Sequence, residues 1–551
     1  MKKSPFRHAQ LPYEIDTLQE LIIQAAEHFP DSVIQVSEKT EMTEHSYREL
    51  RNDVYSLSCV LNRLVPQNAQ VALIGRNSYQ WMAAFLAISG AAATAVLIDR
   101  DMPKEAMEKN LAQTDVRSVI CDSDLYPMLQ ELCPDIPVLP LQWQIGIWGS
   151  YPFEVSQEFE RKAVPEDIAA IIFTSGSTGV NKGVLLSHKN LTSDMKASQM
   201  LTGVNQTDAI FTVLPPQHAF QLVTGILVPI YCGMRIGIGR GLKYVQKDFM
   251  LFKPTFMVLV PMIVRALYRQ TWRAIERKEM TVKVQRGLRL SNALRKVGVD
   301  QRKRLFYPVL KGFGGELRSI ICGGAHLENP IVSGMNDLGI RVMTGYGITE
   351  CSPVVCCNMP KHHRLGSVGM PTPYGEVRIE NEEILVRGDI VSQGYYQMPE
   401  LTAEAYADGW FHTGDLGYLD KDGYLFISGR KKNILVLSNG KNVSPEELEN
   451  ALQGIPGIKE ACVCLEQVNE LDFLTALVYP DEDRVGKIGM DALIRELQEN
   501  IQEINRTLPV YKRVKTVQLL SKELCHTASG KLLRHHPLSE DNQIAETIRI
   551  S

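Results

Sequence analysis

Four strings in this sequence concentrate residue types that can handle phosphate and ribose. The densest is FTSGSTGVNKG, Phe173 to Gly183, which follows the apolar run AAIIF and leads into VLLSH. Its three glycines, four serines or threonines and one lysine suit a polyphosphate. Glycines let backbone N–H groups approach the oxygens, hydroxyls add donors, and the lysine neutralises charge. The Walker A pattern is absent, because no Gly-Lys-Ser/Thr string stands at the required offset and no helix is expected to open here. The second string, GYGITE, Gly345 to Glu350, offers an aromatic face in Tyr346, a hydroxyl in Thr349 and a carboxylate in Glu350. A nucleotide site can use these for base stacking, phosphate contact and Mg2+ binding. The third runs from Gly409 to Glu449, where the Asp415 carboxylate can accept from two adjacent ribose hydroxyls beside Arg430. The fourth, HTASGKLLR, His526 to Arg534, presents a glycine-flanked lysine in a loop.

The elements that must position these strings follow from hydrophobic patterning. Up to about residue 400, short β-branched runs alternate with helical patterns: VALIG at Val71, AVLI at Ala95, AAIIF at Ala169, GVLLS at Gly183, FMVLVP at Phe256 and RSIICGG at Arg318. That rhythm, with strands apolar on both faces, predicts an α/β fold of sheets covered by helices. After Arg430 a shorter unit of strands and helices begins. Its first helix is expected to open at Ser444, with Glu447 at capping-box spacing. The boundary is placed at Lys432, giving domains 1–431 and 432–551. The uncharged stretch Trp81 to Ile98 is near the minimum length for a membrane span. With Ser89, Gly90 and Thr94 inside it, it reads better as a helix to Ser89, a turn at Gly90, and a buried strand through Val96, Leu97 and Ile98.

Composition excludes several classes. The chain of 551 residues, 44% hydrophobic and 22% charged, has ample length for a large core, and low-complexity disorder and collagen do not fit. A net charge of −4 gives no sign of a nucleic-acid partner. Eleven scattered cysteines argue against a disulfide framework, and the opening MKKSPFRHAQLPYE has no apolar run behind its lysines, so a reduced, cytoplasmic setting is expected. The charge is uneven in one place. Between Trp272 and Lys311, 12 lysines and arginines face 3 acids, a net +9 that leaves −13 on the remainder. Leu290, Ala293, Leu294 and Val297 recur there at helical spacing. The preferred reading is a solvated basic face over a packed apolar stripe; the sharper one is peripheral contact with an anionic membrane. Cys356-Cys357 and His362-His363 lie in an expected loop without the usual zinc-ligand spacing, and Cys462 and Cys464 read as one buried strand face.

In order and spacing, the four strings resemble the adenylate-forming superfamily: acyl- and aryl-CoA synthetases, adenylation domains of nonribosomal peptide synthetases, and firefly-type luciferases. The resemblance covers nearly the whole chain, from SYRELRNDVYSL at Ser46 to KLLR at Lys531. It implies a large N-terminal domain of several subdomains and a small, mobile α+β C-terminal domain, with ATP, Mg2+ and CoA as reaction partners. By this resemblance Thr174, Ser175, Gly176, Ser177, Thr178, Gly179 and Lys182 would grip the ATP β- and γ-phosphates. Gly323, Gly324 and Ala325 would line the adenine and acyl carboxylate, Tyr346 with Gly347 would meet the adenine, and Thr349 the α-phosphate. Glu350 would hold Mg2+, and Asp415 and Arg430 the ribose. Lys432 would be the hinge, Lys531 the lysine bridging the carboxylate and α-phosphate, and Gly440 part of the path of the CoA arm.

LPPQHAFQL, Leu214 to Leu222, is similar to the family's acyl-pocket segment and would put His218 beside the carboxylate; a core histidine in a turn is the plainer reading. No acid lies between Asp208 and Asp248 to pair an α-ammonium, which favours an uncharged tail. The basic insert, GGELR at Gly314 and NGKNVSPEELE at Asn439 look like long-chain fatty acyl-CoA synthetases. The implied reaction is fatty acid plus ATP to acyl-AMP and pyrophosphate, then transfer to CoA. An acyl-carrier-protein acceptor, an aryl-CoA ligase, a luciferase-like oxygenase and a degenerate nucleotide-binding membrane protein are the alternatives. Asn181, Asn433 and Cys525-His526 depart from the family pattern, which usually has Pro, an acid, and Pro-Lys or Pro-Arg there.

Overall fold

The computed structural model describes residues 10–38, 41–142, 158–175, 181–241, 244–437, 441–468, 471–526, 532–534, 537–539 and 541–550. The apolar runs read from the sequence form strands: Gln70–Ile74, Thr94–Leu97, Ile168–Ser175, Asn181–Ser187, Phe256–Leu259 and Ser319–Cys322. Trp81 lies in the helix Tyr79–Gly90, which precedes the strand Thr94–Leu97, as the turn at Gly90 predicts. That helix is buried on all sides, and no helix among the described residues is long and apolar enough to cross a membrane.

Among the described residues, three sheets build the large N-terminal domain. A six-stranded sheet is parallel except at its edge, where Ile168–Ser175 turns back antiparallel on Asn181–Ser187. A nine-stranded sheet carries Arg341–Gly347, Ser319–Cys322, Phe256–Leu259 and Ala209–Thr212 as parallel neighbours, with antiparallel pairs at both ends. A four-stranded antiparallel meander, Gly375–Glu380 to Leu425–Arg430, follows. One apolar cluster draws on both large sheets and the helices between them, including Leu73, Phe85, Met195, Ile236 and Ile320. The small C-terminal domain has its own core, with Leu448, Val463, Leu493, Leu497 and Val517 packed between a four-stranded mixed sheet and its helices. Two separate cores allow the domains to move as units.

A strip of complementary charges joins them. Arg269, Arg273 and Glu276 lie on one face of the helix Pro261–Arg277, at helical spacing. They meet Asp481 (3.7 Å), Asp483 and Lys487 (3.2 Å) of the C-terminal domain. Such half-exposed pairs contribute only about 0.2–1 kcal/mol each, enough to bias a domain arrangement without fixing it.

Three sequence expectations need correction. Ser444 does precede the helix Pro445–Gln453, but the capping box is not made: its hydroxyl donates to the Ser428 carbonyl (2.8 Å), and Glu447 pairs with Lys512 (2.6 Å). The serine thus serves a contact with the strand Leu425–Arg430 of the N-terminal domain in place of the helix N-terminus. In the helix Thr281–Lys296 the packed side is Val284, Leu288 and Ser291, while Leu290 and Val297 are 55% and 74% exposed. The apolar stripe expected to be covered therefore faces outward with the lysines and arginines. Cys356 and Cys357 sit on the strand Val354–Cys357, not in a loop, and pack into different apolar clusters. Alternation along a strand points them to opposite faces, and no metal-binding cluster of three occurs among the described residues. Cys462 and Cys464 do share one side of a strand, and none of the eleven cysteines forms a disulfide in this structure.

His188, 1% exposed, starts the helix His188–Thr202 and accepts the Leu18 N–H at Nδ1 (3.1 Å), so it is neutral. Burial lowers its pKa to about 4. Between pH 6.5 and 4 the unfolded chain takes up a proton there that the native state refuses, so stability falls as pH falls through that window, by on the order of 2–3 kcal/mol. Asparagine keeps an acceptor but does not titrate. His188→Asn is expected to flatten this part of the stability–pH curve, measured by denaturant unfolding; an unchanged slope would contradict it.

Candidate active site

The serine- and glycine-rich string is flanked by two antiparallel strands, Ile168–Ser175 and Asn181–Ser187. Thr174 pairs with Lys182 and Ser175 with Asn181, so the apolar strands hold both ends of the loop in register. Gly176, Ser177, Thr178 and Gly179 lie outside the described residues. Asn181, at the position where proline was expected, donates from Nδ2 to Asn110 Oδ1 (2.9 Å), a hydrogen bond that anchors this end of the hairpin.

Lys182 points across to a residue that the sequence reading missed. Its Nζ lies 4.7 Å from the centroid of the Tyr395 ring, and the Tyr395 hydroxyl donates to Glu350 Oε1 (3.0 Å). The segment Gly394–Tyr396 hydrogen-bonds along the hairpin strand, through Leu185 N to Gly394 O (2.9 Å) and Tyr396 N to Gly183 O (2.7 Å). One tyrosine thus couples Lys182 to the carboxylate of GYGITE. Burial, then the Glu350 charge, drives the Tyr395 phenol far above its ordinary pKa, so it remains a donor. The only signal in the sequence was a tyrosine pair in SQGYYQMP, which has no local pattern to mark it.

Glu350 sits in the one-turn helix Thr349–Cys351 at the end of the strand Arg341–Gly347. A lone carboxylate with one oxygen held by a tyrosine suits Mg2+, which keeps several waters and substrate phosphates as its other ligands. Tyr346, on the same strand, donates to Asp415 Oδ2 (2.7 Å), and Arg430 Nε donates to Asp415 Oδ1 (2.6 Å). Asp415 and Arg430 are cross-strand neighbours, which explains their separation in sequence. Each carboxylate oxygen has a second lone pair, so Asp415 can receive ribose hydroxyls without releasing either partner.

Tyr346 also walls a mostly apolar cavity of about 60 Å3, together with Phe220, Gly323, Gly324, Gly347 and Val354 among others. Glycine at 347 is a steric requirement: a Cβ there would collide with the Pro353 carbonyl oxygen. Gly324 adopts φ +89°, a conformation side chains disfavour. Ala325 is exposed just beyond. The LPPQHAFQL segment reaches the cavity through Phe220 rather than His218, which is exposed and is not a core histidine.

Beyond Arg430, Lys432 is exposed in the turn Lys431–Asn433. Lys431 pairs with Glu383 (2.9 Å), and Asn433, where an acid was expected, donates to Glu446 (2.6 Å) at the start of the first C-terminal helix. An acid at 433 would face Glu446 with like charge. Gly440 and Lys531 lie outside the described residues. The residues flanking the Lys531 loop, His526 and Leu532, pair with each other and line a cleft of about 250 Å3 against Met262, Arg265 and Arg269. The helix carrying those residues follows Val260, which contacts the space above Gly324. His526 and Leu532 are therefore held against the helix Pro261–Arg277 of the N-terminal domain.

Comparison with known proteins agrees with this geometry. Residues 22–396 match the AMP-binding enzyme family model, and residues 432–546 match the AMP-binding enzyme C-terminal domain. The chain belongs to the AMP-binding enzyme family. Long-chain-fatty-acid–CoA ligase 5 of Mus musculus is 30% identical over 512 residues, 83% of this chain and 74% of the relative. The 2-succinylbenzoate–CoA ligase of Bacillus cereus is 26% identical over 537 residues, 94% and 98% of the two chains. The same fold occurs in O-succinylbenzoate coenzyme A synthetase from Bacillus subtilis in complex with ATP and magnesium ion, with TM-score 0.73 and 20% identity over 94% of this AMP-binding enzyme and 98% of that chain.

The Tyr395 link gives a direct test. Tyr395→Phe keeps the ring beneath Lys182 but removes the donor to Glu350, a hydrogen bond to a charged group of about 1.5–3 kcal/mol. Turnover with ATP is expected to fall at least ten-fold while the KM of the carboxylic acid stays within two-fold. Unchanged turnover would show that the link has no part in the reaction.

Proposed function

We propose that this AMP-binding enzyme joins a carboxylic acid, preferentially a fatty acid, to CoA in two half-reactions. The observation that carries the reading is the pair of networks Lys182–Tyr395–Glu350 and Tyr346–Asp415–Arg430, the second of which reaches an apolar cavity through Tyr346. In the first half-reaction an acid oxygen attacks the α-phosphorus of ATP, giving acyl-AMP and releasing pyrophosphate. In the second a thiol attacks the acyl carbonyl, and AMP leaves with its phosphate oxygen.

The first step brings two anions together. At 4 Å two unit charges repel by about 4 kcal/mol at an effective dielectric constant of 20, so the site must supply cations and donors. In this reading Thr174, Ser175, Gly176, Ser177, Thr178, Gly179 and Lys182 hold the β- and γ-phosphates, and Thr349 donates to the α-phosphate. Tyr346 and the glycines at 323, 324 and 347 pack on the adenine and acyl carbon, and Asp415 with Arg430 fixes the ribose. Glu350 would hold Mg2+, which neutralises phosphate charge. His218 and Lys531 approach the acid carboxylate. We assign the domain boundary and pivot to Lys432. Its rotation would replace the Lys531 loop by the face carrying Gly440, along which the CoA arm approaches.

The exposed face of the helix Thr281–Lys296 adds a setting for this chemistry. Val282, Leu290 and Val297 stand in water beside Lys283, Arg286, Arg289 and Lys296. Apolar residues flanked by cations fit an anionic lipid surface, where a fatty acid would be dissolved. The protein is expected to co-sediment with phosphatidylglycerol vesicles at low salt, less so in 0.5 M salt, and not with phosphatidylcholine alone. Absence of binding to the anionic vesicles at low salt would refute this attachment.

Acyl transfer is tested by following AMP and thioester formation across fatty and aryl acids, with CoA and acyl carrier protein compared as acceptors. Fatty acids with CoA are expected to give both products; thioester formed only on the carrier protein would overturn the acceptor. Lys531→Ala should reduce acyl-AMP formation at least a hundred-fold, about 3 kcal/mol in the barrier, and leave transfer from supplied acyl-AMP within three-fold. Equal loss in both half-reactions would overturn its assignment.

A further inference from the structure

The helix His188–Thr202 opens on a capping box and is buried along most of its length. Asn190, in its first turn, is buried. Its Oδ1 accepts the Ser187 N–H (2.9 Å), which fixes the orientation of the amide. Both Nδ2 hydrogens then meet carbonyls of a segment 199 and 201 residues away, Asp389 O and Val391 O, at 2.8 Å each. A side-chain amide has two donors, and here both hold one stretch of backbone. The exposed Lys189 adds an ion pair with Asp389 (3.1 Å).

That segment leads directly to the groups that hold Glu350. The next residue, Ser392, donates its N–H to the Glu350 carbonyl (2.9 Å). Shortly after it, the Tyr395 hydroxyl donates to the Glu350 carboxylate. Asp194, one turn after Asn190 and fully buried, braces the other side: its Oδ2 accepts the Val354 N–H (3.3 Å). The neighbouring Pro353 carbonyl accepts the Ile348 N–H (2.9 Å), which closes the turn that carries Glu350. Ser352 in that turn has φ +68°, a left-handed conformation that costs a non-glycine residue about 1–3 kcal/mol and persists only where the surroundings hold it. Burial pushes the Asp194 carboxyl well above the usual carboxylate range, so asparagine is its nearest substitute.

We propose that Asn190, assisted by Asp194, is a positioning residue for the Glu350 carboxylate: from one buried helix the two side chains fix the backbone on both sides of the turn that presents it. The inference rests on the reading of Glu350 as the Mg2+ ligand, and it names what keeps that carboxylate aimed. Removing a group that orients a metal ligand directly costs about 10–100-fold in metal affinity. Asn190 acts one step further out, through Val391 and Ser392, so its effect is smaller.

The test is equilibrium binding of a non-hydrolysable ATP analogue, with saturating Mg2+ and with EDTA, in the absence of acid and turnover. Mg2+ is expected to tighten binding to the wild-type chain. Asn190→Ser, which removes both donors without adding charge, should reduce that tightening about five-fold, with the Mg2+-free Kd within two-fold. Asp194→Asn, which keeps an acceptor for Val354, should retain most of the tightening; its loss there would remove Asp194 from the assignment. An Asn190→Ser chain that loses affinity equally with and without Mg2+, or in neither condition, overturns the assignment. If that chain does not fold, Asn190→Asp, which keeps the oxygen that caps the helix, takes its place; failure of both to fold makes the side chain structural and overturns it too. Glu350→Gln in parallel separates the two readings. If it leaves the tightening unchanged, the Mg2+ reading of Glu350 falls, and this inference with it. Tightening lost in Glu350→Gln but kept in Asn190→Ser removes the inference alone.

Discussion

The Asp415 carboxylate, held between the Tyr346 hydroxyl and the Arg430 guanidinium, is the junction on which the site is built. Tyr346 ends a strand of the nine-stranded sheet; Asp415 and Arg430 belong to the antiparallel meander. Their hydrogen bonds join the two sheets at the point where the glycine-walled cavity opens. Arg430 is also the last residue before the turn that leads into the C-terminal domain. A buried carboxylate of this kind is costly unless it is paired, so the geometry of the proposed nucleotide site and of the chain leading into the C-terminal domain is set by the same interaction. The Lys182–Tyr395–Glu350 link does the equivalent work between the hairpin of the six-stranded sheet and the end of the nine-stranded sheet. The site therefore lies where three sheets meet, and polar side chains connect them.

This arrangement suits a reaction between two anions. Cations and donors come from elements that the cores hold rigidly, while the loop flanked by His526 and Leu532 comes from a domain with its own core. The contacts that orient that domain are of a weaker kind: surface ion pairs on the helix Pro261–Arg277 and the Ser444–Ser428 hydrogen bond beside the turn. Rigid sites joined by weak inter-domain contacts fit a two-step reaction that needs a different partner in each step.

Much of this was legible in the sequence, and for local reasons. The buried strands read as uninterrupted apolar runs, and the hairpin loop declared itself by glycine and hydroxyl density between two of them. Asp415 and Arg430 were recognisable from their motifs, although only the strand register explains why they meet. What the sequence did not disclose depends on distant contacts. Tyr395 gains its role from residues 45 and 213 positions away and carries no pattern of its own. Leu290 and Val297 have helical spacing, but periodicity reports only that they share a face, not whether anything covers it. Cys356 and Cys357 looked like a loop pair because two adjacent cysteines mask the alternation of a short strand. Ser444 had capping-box spacing, yet its hydroxyl found a better acceptor across the chain at Ser428.

Together these networks prepare ATP for attack by a carboxylate, with acyl-AMP formed before any thiol takes part. Acid-dependent ATP–pyrophosphate exchange in the absence of CoA measures that step alone. Exchange is expected to require a carboxylic acid and to proceed without thiol, with AMP and not ADP as the nucleotide product once CoA is added. Exchange that requires CoA, or cleavage of ATP to ADP, would contradict it.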